Sequence, residues 1–502
     1  GNLAATDEAL FMLSRPDIHE PKRHLVAFQI TNEHPEAVTV LEDVTDFELT
    51  ADRSTLFVTK GAAESLEYHS LPAKPAEAKL DPKTTRFDLG GWTFTMQPRE
   101  EWRQMFVDGW RLLRDYFYVR NLHEVDWPGV LERYRPLVDR VADRRELSDL
   151  LAQMTGELSA LHHFVYGGDV RTGPDRIAVG RLGARLRRDP DTRGFVVERI
   201  YRHDPDRPER AAPLAHPEAD VAEGSIITMI NGIPAAELAS PGVALRGQVG
   251  RQVLLRVLEP DANEPRDVIV RPIGPGAATD LRYRDWELER RDRVAEASDG
   301  RFGYIHLRAM GKANIAEWYR EYQSIWRKEG LILDVRYNRG GNIDSWILNR
   351  LLREAWMYWN HRGVLEPAWN MQQAFRGHVV VLIDQHTSSD GEAVAEGFRR
   401  LRLGPLIGTR TWGGGIWLSS ANFLVDGGIA TAGEYGVYAP DGVWIIEGDG
   451  VEPDIEVDNP PHETYLGRDR QLEAALDYLF ARIEVEPVVI PQAPPAKDLS
   501  VE

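Results

Sequence analysis

Hydrophobic and polar positions change rhythm along this chain, and each change marks a new kind of element. Over residues 8 to 70 they alternate in short runs broken by turn residues. That predicts strands at Ala9–Ser14, His24–Thr31, Val38–Leu41, Phe47–Leu49 and Thr55–Thr59. From Glu100 the apolar period lengthens. Trp102, Met105, Phe106, Trp110, Leu113 and Phe117 recur at three- or four-residue spacing, the mark of one buried helix face. Further helices are expected at Trp127–Val138 and Arg145–Leu158. Strand-like runs return between 177 and 275. From about 280 to 485, continuous apolar runs (Gly303–Leu307, Leu331–Val335, Val379–Ile383, Leu406–Gly408) alternate with helical stretches at Ile315–Glu329, Asp344–Leu352 and Ala393–Leu403. Such alternation predicts an α/β domain with a mostly parallel sheet.

These rhythms divide the chain into a multidomain α+β protein. Residues 1–70 hold short strands whose Thr50–Ser54 turn resembles part of a β-propeller blade. Sixty residues make one or two blades at most, so a remnant of a larger ring is expected. A linker follows over 71–97, rich in Pro, Ala and Lys from Leu71 to Lys83. Then come a helical domain at 98–176, a β-rich module at 177–275, the α/β domain at 276–485, and a Pro-rich, mobile tail at 486–502.

Composition narrows the function. The chain of 502 residues carries a net charge of −19 and shows no clustered basic face, which argues against nucleic acid as partner. No apolar run approaches the roughly 20 residues of a membrane span. With no Cys, thiol nucleophiles, thiolate metal sites and disulfides are excluded, while the compartment stays open. The Gly-Asn start, without initiator Met or signal peptide, is expected of a processed form or a part of a longer protein.

Candidate chemistry gathers at strand ends. His386-Thr387-Ser388-Ser389-Asp390-Gly391-Glu392 closes one apolar run and opens a helical one. A serine there sits beside the first free N–H groups of a helix, where it could attack a carbonyl or simply cap the helix. Asp334 to Asn342 makes a second turn after a strand, where Gly340-Gly341 would let the backbone approach a ligand closely. No Lys-Ser/Thr follows to make a phosphate loop, and no His-Glu-x-x-His or Gly-x-Ser-x-Gly pattern occurs. His162-His163 and Glu447 complete the candidates. On their own, the first pair reads equally as helix-end histidines and Glu447 as a solvated loop acid.

Taken in order, His162, Gly340-Gly341, Ser389-Asp390, and Glu447 ahead of Gly450-Val451-Glu452-Pro453-Asp454-Ile455 resemble the tricorn proteases. These are serine peptidases related to the C-terminal processing peptidases. The match spans about residues 98 to 460. Within it, Leu182-Gly183-Ala184-Arg185-Leu186, Glu223 to Gly232 and Val249 to Leu255 follow the order of a circularly permuted PDZ domain, a PDZ-like β-barrel that binds extended peptide at a sheet edge. The resemblance implies Ser389 as nucleophile, His162 as general base, Glu447 as the acid behind it, and the backbone amides of Gly340 and Asp390 as oxyanion hole. It implies a serine endopeptidase acting on oligopeptides or unfolded protein, needing no metal or other cofactor. It further implies a cytoplasmic homo-oligomer, a hexamer, with residues 1–70 ending the second of two propellers. A periplasmic or secreted location is the alternative.

One position departs from the pattern. The family places a Ser before the His, linking it to the Glu; here Leu161 stands there. Either Glu447 reaches His162 directly or through water, or another hydroxyl, Ser159 being nearest, substitutes. If the link is weakened, Leu161→Ser should raise kcat. The rival reading is a catalytically silent peptide-binding PDZ protein. No Asp stands in Trp356-Met357-Tyr358-Trp359-Asn360, near where a preference for basic residues would be set.

Overall fold

The N-terminal alternation becomes seven antiparallel strands in the computed structural model, which describes residues 3–15, 22–31, 37–61, 66–75, 85–89, 91, 93–171, 173, 176–362, 367–418 and 422–495. Strands β1 (Leu3–Ala5), β2 (Ala9–Ser14), β3 (His24–Gln29) and β4 (Ala37–Leu41) make one sheet in that order. Strands β5 (Val44–Leu49), β6 (Thr55–Lys60) and β7 (Glu67–Pro72) make another. The period of two is visible in β2, where Ala9, Phe11 and Leu13 are buried and their neighbours half-buried. Strand β7 takes in Leu71 and Pro72, where a linker was expected to begin. Residues 76–84 of that linker lie outside the described residues. These strands belong to a unit spanning Gly1–Pro98, separate from Arg99–Glu502.

Helix α1 (Pro98–Tyr116), which from Arg99 on belongs to the second unit, buries Met105, Phe106, Trp110 and Leu113, the face its spacing predicts. Helix α2 (Trp127–Tyr134) stops short of Val138 because Pro136 has no N–H to continue it. A 3₁₀ turn over Arg135–Arg140 follows. The indole of Trp110 donates to Trp127 O and that of Trp127 to Trp110 O, so two large buried rings leave no polar atom unpaired. Helix α3 (Arg144–Gly156) is capped by Asp143, which accepts from Arg145 N and Glu146 N. The core of these helices also includes Ile416, Leu424, Ala430 and Ala432 from far along the chain.

Strand β8 (Val165–Tyr166) leads into the β-rich module. There β9 (Ala184–Arg188), β10 (Phe195–Ile200), β11 (Ile226–Ile230), β12 (Ile233–Pro234), α4 (Pro241–Ala244), β13 (Val253–Leu258) and β14 (Arg266–Val270) surround one core. The sheet order is β14-β13-β11-β10-β9, which leaves β9 at an edge. The Asn231-Gly232 turn between β11 and β12 has both residues at positive φ, the form a two-residue hairpin favours.

A parallel sheet then forms in the order β15-β16-β19-β20-β24. Its parts follow in chain order: α5 (Pro275–Ala297), β15 (Phe302–His306), α6 (Lys312–Tyr322), β16 (Gly330–Asp334), α7 (Asp344–Leu351), the hairpin β17 (Tyr358–Trp359) and β18 (Ala368–Trp369), β19 (His378–Ile383), α8 (Asp390–Arg400), β20 (Leu406–Gly408), β21 (Ile416–Trp417), β22 (Ile429–Ala430), β23 (Tyr435–Gly436), β24 (Ile455–Glu456), α9 (Pro461–Tyr465) and α10 (Arg470–Val485). Leu331, Leu333, Val379 and Val381 face a layer holding Trp318, Ile347 and Phe398 from α6, α7 and α8. Ile332, Val380 and Leu382 face Val294 of α5 and Leu472 and Leu479 of α10. Both faces are covered, which explains why these strands read as unbroken apolar runs. Each such buried Leu, Ile or Val contributes roughly 1.5–3 kcal/mol, so the central strands are the firmest support available for a site at their ends. The last tail residues, 496–502, lie outside the described residues.

Candidate active site

The carboxyl ends of β16 and β19 carry the two turns singled out in the sequence. Ser389, between β19 and α8, has φ 55 and ψ −122. An ordinary N-cap residue sits in the extended region, and the Ser389 side chain makes no cap hydrogen bond. A non-glycine residue at positive φ is a strained position that its surroundings must hold. Five hydrogen bonds hold it. Ser388 donates both its N–H (2.9 Å) and its hydroxyl (3.0 Å) to Asn338 O, so its hydroxyl is committed to the fold. Ser389 N–H donates to Glu392 Oε2 at 2.9 Å. Asp390 accepts the N–H groups of Ile343 (2.6 Å) and Asp344 (3.2 Å), tying the starts of α7 and α8 together. Burial, with Asp344 alongside, pushes the Asp390 carboxyl up to about 6.

Gly340 packs directly on Ser389. With φ +76, a Cβ placed on it would lie 2.4 Å from Ser389 Cβ and 2.8 Å from its Oγ, so no side chain fits. Its N–H donates to Asn338 Oδ1 at 2.8 Å. The N–H of Asp390, first in α8, has no partner among the described residues. Gly341 serves a different contact: a Cβ there would meet Met310 O at 2.0 Å.

His162 follows α3 and is 7% exposed. Its loop is pinned by β8 pairing with β22, and Phe164 N–H donates to Thr431 Oγ1 at 2.7 Å. Nδ1 lies 2.6 Å from Ile416 O. A carbonyl can only accept, so Nδ1 carries the proton and Nε2 is left as the basic nitrogen of the neutral ring. Trp412 and Phe164 meet the ring edge-on at 5.7 and 5.3 Å. Burial holds the His162 pKa below its ordinary 6.5, against the opposing pull of the Ile416 carbonyl and the Glu447 charge.

Glu447 does not bond to the imidazole. Its Oε1 accepts Leu161 N–H at 2.8 Å, and its Oε2 accepts Gly415 N–H (2.7 Å) and Ile416 N–H (3.1 Å). The acid therefore reaches His162 through main chain on both sides: the residue before it, and the residue whose carbonyl accepts from it. The exposed Ser159 uses its N–H on Gly156 O and is not among the partners of His162 or Glu447. The missing hydroxyl at 161 is thus bypassed by a backbone N–H, which any residue but proline supplies.

The structure brings Ser389, Gly340 and Asp390 into one cluster and His162, Glu447, Leu161 and Ile416 into another. The strap from Thr411 to Ile416 connects them. Sequence reasoning missed two members of this arrangement. Ile416 acts through its carbonyl, which no side-chain pattern reveals. Glu392 was hidden because a Glu three residues after a Ser reads as half of a helix capping box. Among the described residues, no three carboxylate or imidazole groups are arranged to hold a metal ion, and no helix is long and apolar enough to cross a membrane.

Comparison with known proteins gives this arrangement its class. Residues 301–457 match peptidase family S41, residues 98–156 the tricorn protease C1 domain, and residues 180–274 the tricorn protease PDZ domain. The first of these places the parallel-sheet region in peptidase family S41. Within that class the chain belongs to the tricorn proteases. It is 35% identical to tricorn protease homolog 1 of Streptomyces coelicolor over 81% of this chain and 38% of that protein. It is 30% identical to the tricorn protease of Thermoplasma acidophilum over 91% of this chain and 41% of that one. The crystal structure of the tricorn protease superimposes with a TM-score of 0.84 at 26% identity, covering 96% of this chain and 46% of the other. The chain thus spans less than half the length of these relatives.

Proposed function

We propose that this chain is a serine endopeptidase that hydrolyses peptide bonds in oligopeptides or unfolded protein segments. Ser389 Oγ attacks the scissile carbonyl while His162 Nε2 takes its proton. The oxyanion receives the Asp390 N–H, and the Gly340 N–H once it turns from Asn338 Oδ1. His162 then protonates the leaving amine, and water, activated by the same imidazole, releases the acyl group. Glu447 holds the main chain on both sides of His162 and supplies a negative charge near the imidazolium that forms. The observation that carries this reading is the strained backbone of Ser389 (φ 55), with a glycine packed against it too closely for any side chain. Neither a metal nor another cofactor enters these steps.

Residues 1–70 supply the last strands of a β-propeller in this reading. The four-stranded antiparallel sheet β1-β2-β3-β4 has the make-up of a blade, which supports it. Family membership supports a cytoplasmic homo-oligomer, a hexamer. The decisive comparison is of wild type with Ser389→Ala on a fluorogenic peptide. The variant should lose hydrolysis, and in wild type kcat/KM should fall with acid along a limb lying below pH 6.5, as buried His162 takes a proton. Hydrolysis kept by Ser389→Ala refutes the assignment.

A further inference from the structure

Between the two clusters lies a buried carboxylate that the proposed steps do not use. Glu392 is 0% exposed and accepts four donors. Its Oε2 takes the N–H groups of Ser389 and Gly414, each at 2.9 Å. Its Oε1 takes the Thr411 hydroxyl and the Gly413 N–H, each at 2.6 Å. The next two residues of the strap, Gly415 and Ile416, give their N–H groups to Glu447, and Ile416 O receives the proton of His162 Nδ1.

Capping α8 needs only the bond to Ser389 N–H, so three of the four bonds have no role in the helix. A carboxylate fully removed from water is costly unless every lone pair is used. Here the donors are all N–H and O–H groups, which only the ionised, acceptor-only form can satisfy together. Burial raises the Glu392 pKa and these bonds oppose the rise. A simple tie between two loops would not require a charge. An acceptor shared by the nucleophile's own N–H and the strap that carries the base's acceptor does require four lone pairs at one point.

We propose that Glu392 is a positioning residue for peptide-bond hydrolysis: it clamps the Thr411–Ile416 strap to the Ser389 turn and so sets His162 against Ser389. The inference rests on the reading of Ser389 and His162 as nucleophile and base. Glu392 touches neither substrate nor the reacting atoms.

Glu392→Gln keeps the shape but turns an NH₂ toward two N–H or O–H donors, so the strap must shift. Misplacing a catalytic group by about 1 Å can lower the rate on the order of 10²-fold, and a fall of roughly 10- to 100-fold in kcat is expected, with KM near wild type. Loosening the strap also weakens the Ile416 carbonyl bond that raises the His162 pKa. The acid limb of kcat/KM should therefore move to lower pH. Glu447 and His163, the other titratable groups facing His162, are left in place by the substitution. A merely structural role would reduce the fraction of folded enzyme alike at every pH. It would leave both the limb and the kcat per phosphonate-titrated site unchanged, and that result overturns the proposal.

Should Glu392→Gln fail to fold, Thr411→Val carries the test, because it removes one donor to the same carboxylate. A smaller fall in kcat with the same shift of the limb, restored by Thr411→Ser, is expected. Wild-type kcat and limb in Thr411→Val overturn the proposal. Ser389→Ala separates the two levels. If that variant is inactive while Glu392→Gln behaves as wild type, the clamp alone fails; if it remains active, both readings fail.

Discussion

The contact between Gly340 and Ser389 is the sharpest constraint at the residue scale. Gly340→Ala would place a Cβ 2.4 Å from Ser389 Cβ in a backbone conformation, φ +76, that alanine resists. Either the Ser389 turn or the Gly340 turn must move, and loss of one oxyanion donor alone typically lowers the rate by about 10²–10³. Steady-state kinetics should show at least that fall in kcat, while a variant with wild-type kcat would contradict the assigned geometry. Leu161 leads to the opposite expectation. The residue is 41% exposed, and its contribution to Glu447 comes from the backbone N–H at 2.8 Å. Leu161→Ser keeps that N–H, so kcat should change little; a tenfold gain, about 1.4 kcal/mol, would mean that the hydroxyl link matters after all. Ser389 and the glycine pair were legible in the sequence because each closes an apolar run. His162 and Glu447 were legible only through their order relative to those turns, since a lone histidine or loop glutamate has no periodic signature.

At the scale of elements, the parallel sheet was readable because strands buried on both faces need unbroken apolar runs. Helix α5 was not, and its residues explain why. Where an apolar stripe would be, it buries Asp285, Glu287 and Arg290, which are satisfied by ion pairs to Arg199, Arg308 and Asp469. Periodicity of hydrophobic residues cannot report a helix that packs through charges. The same network reaches the turn after β16 that carries Gly340. Arg336, 2% exposed, donates to Asp334 at the end of β16 and to Asp469 at the start of α10. It holds the Asp334 carboxyl far below the usual carboxylate range despite complete burial. Arg336→Met would leave the buried Asp334 carboxylate without its guanidinium while Asp469 keeps Arg290, and removing one partner of such a pair costs about 3–5 kcal/mol. Denaturant unfolding should register a loss of that size. A loss under about 1 kcal/mol would mean that the network is not ionised as drawn.

Across the unit Arg99–Glu502, five chain segments supply the candidate site: the loop after α3, the turns after β16 and β19, the strap, and the Glu447 loop. The core of α1 to α3 takes in Ile416 and Ala430, so the helices carrying His162 are built onto the strap they serve. That sharing was invisible to a division of the chain into successive domains. The central claim is that Ser389, rather than Ser388, is the nucleophile of a serine peptidase. Ser388 already donates its hydroxyl to Asn338 O, whereas Ser389 occupies the strained corner beside Gly340. The most direct measurement treats the protein with a serine-reactive phosphonate and maps the adduct by mass spectrometry. One adduct on Ser389, abolished in Ser389→Ala, is predicted; an adduct on Ser388, or none in a preparation that hydrolyses peptide, would contradict the account.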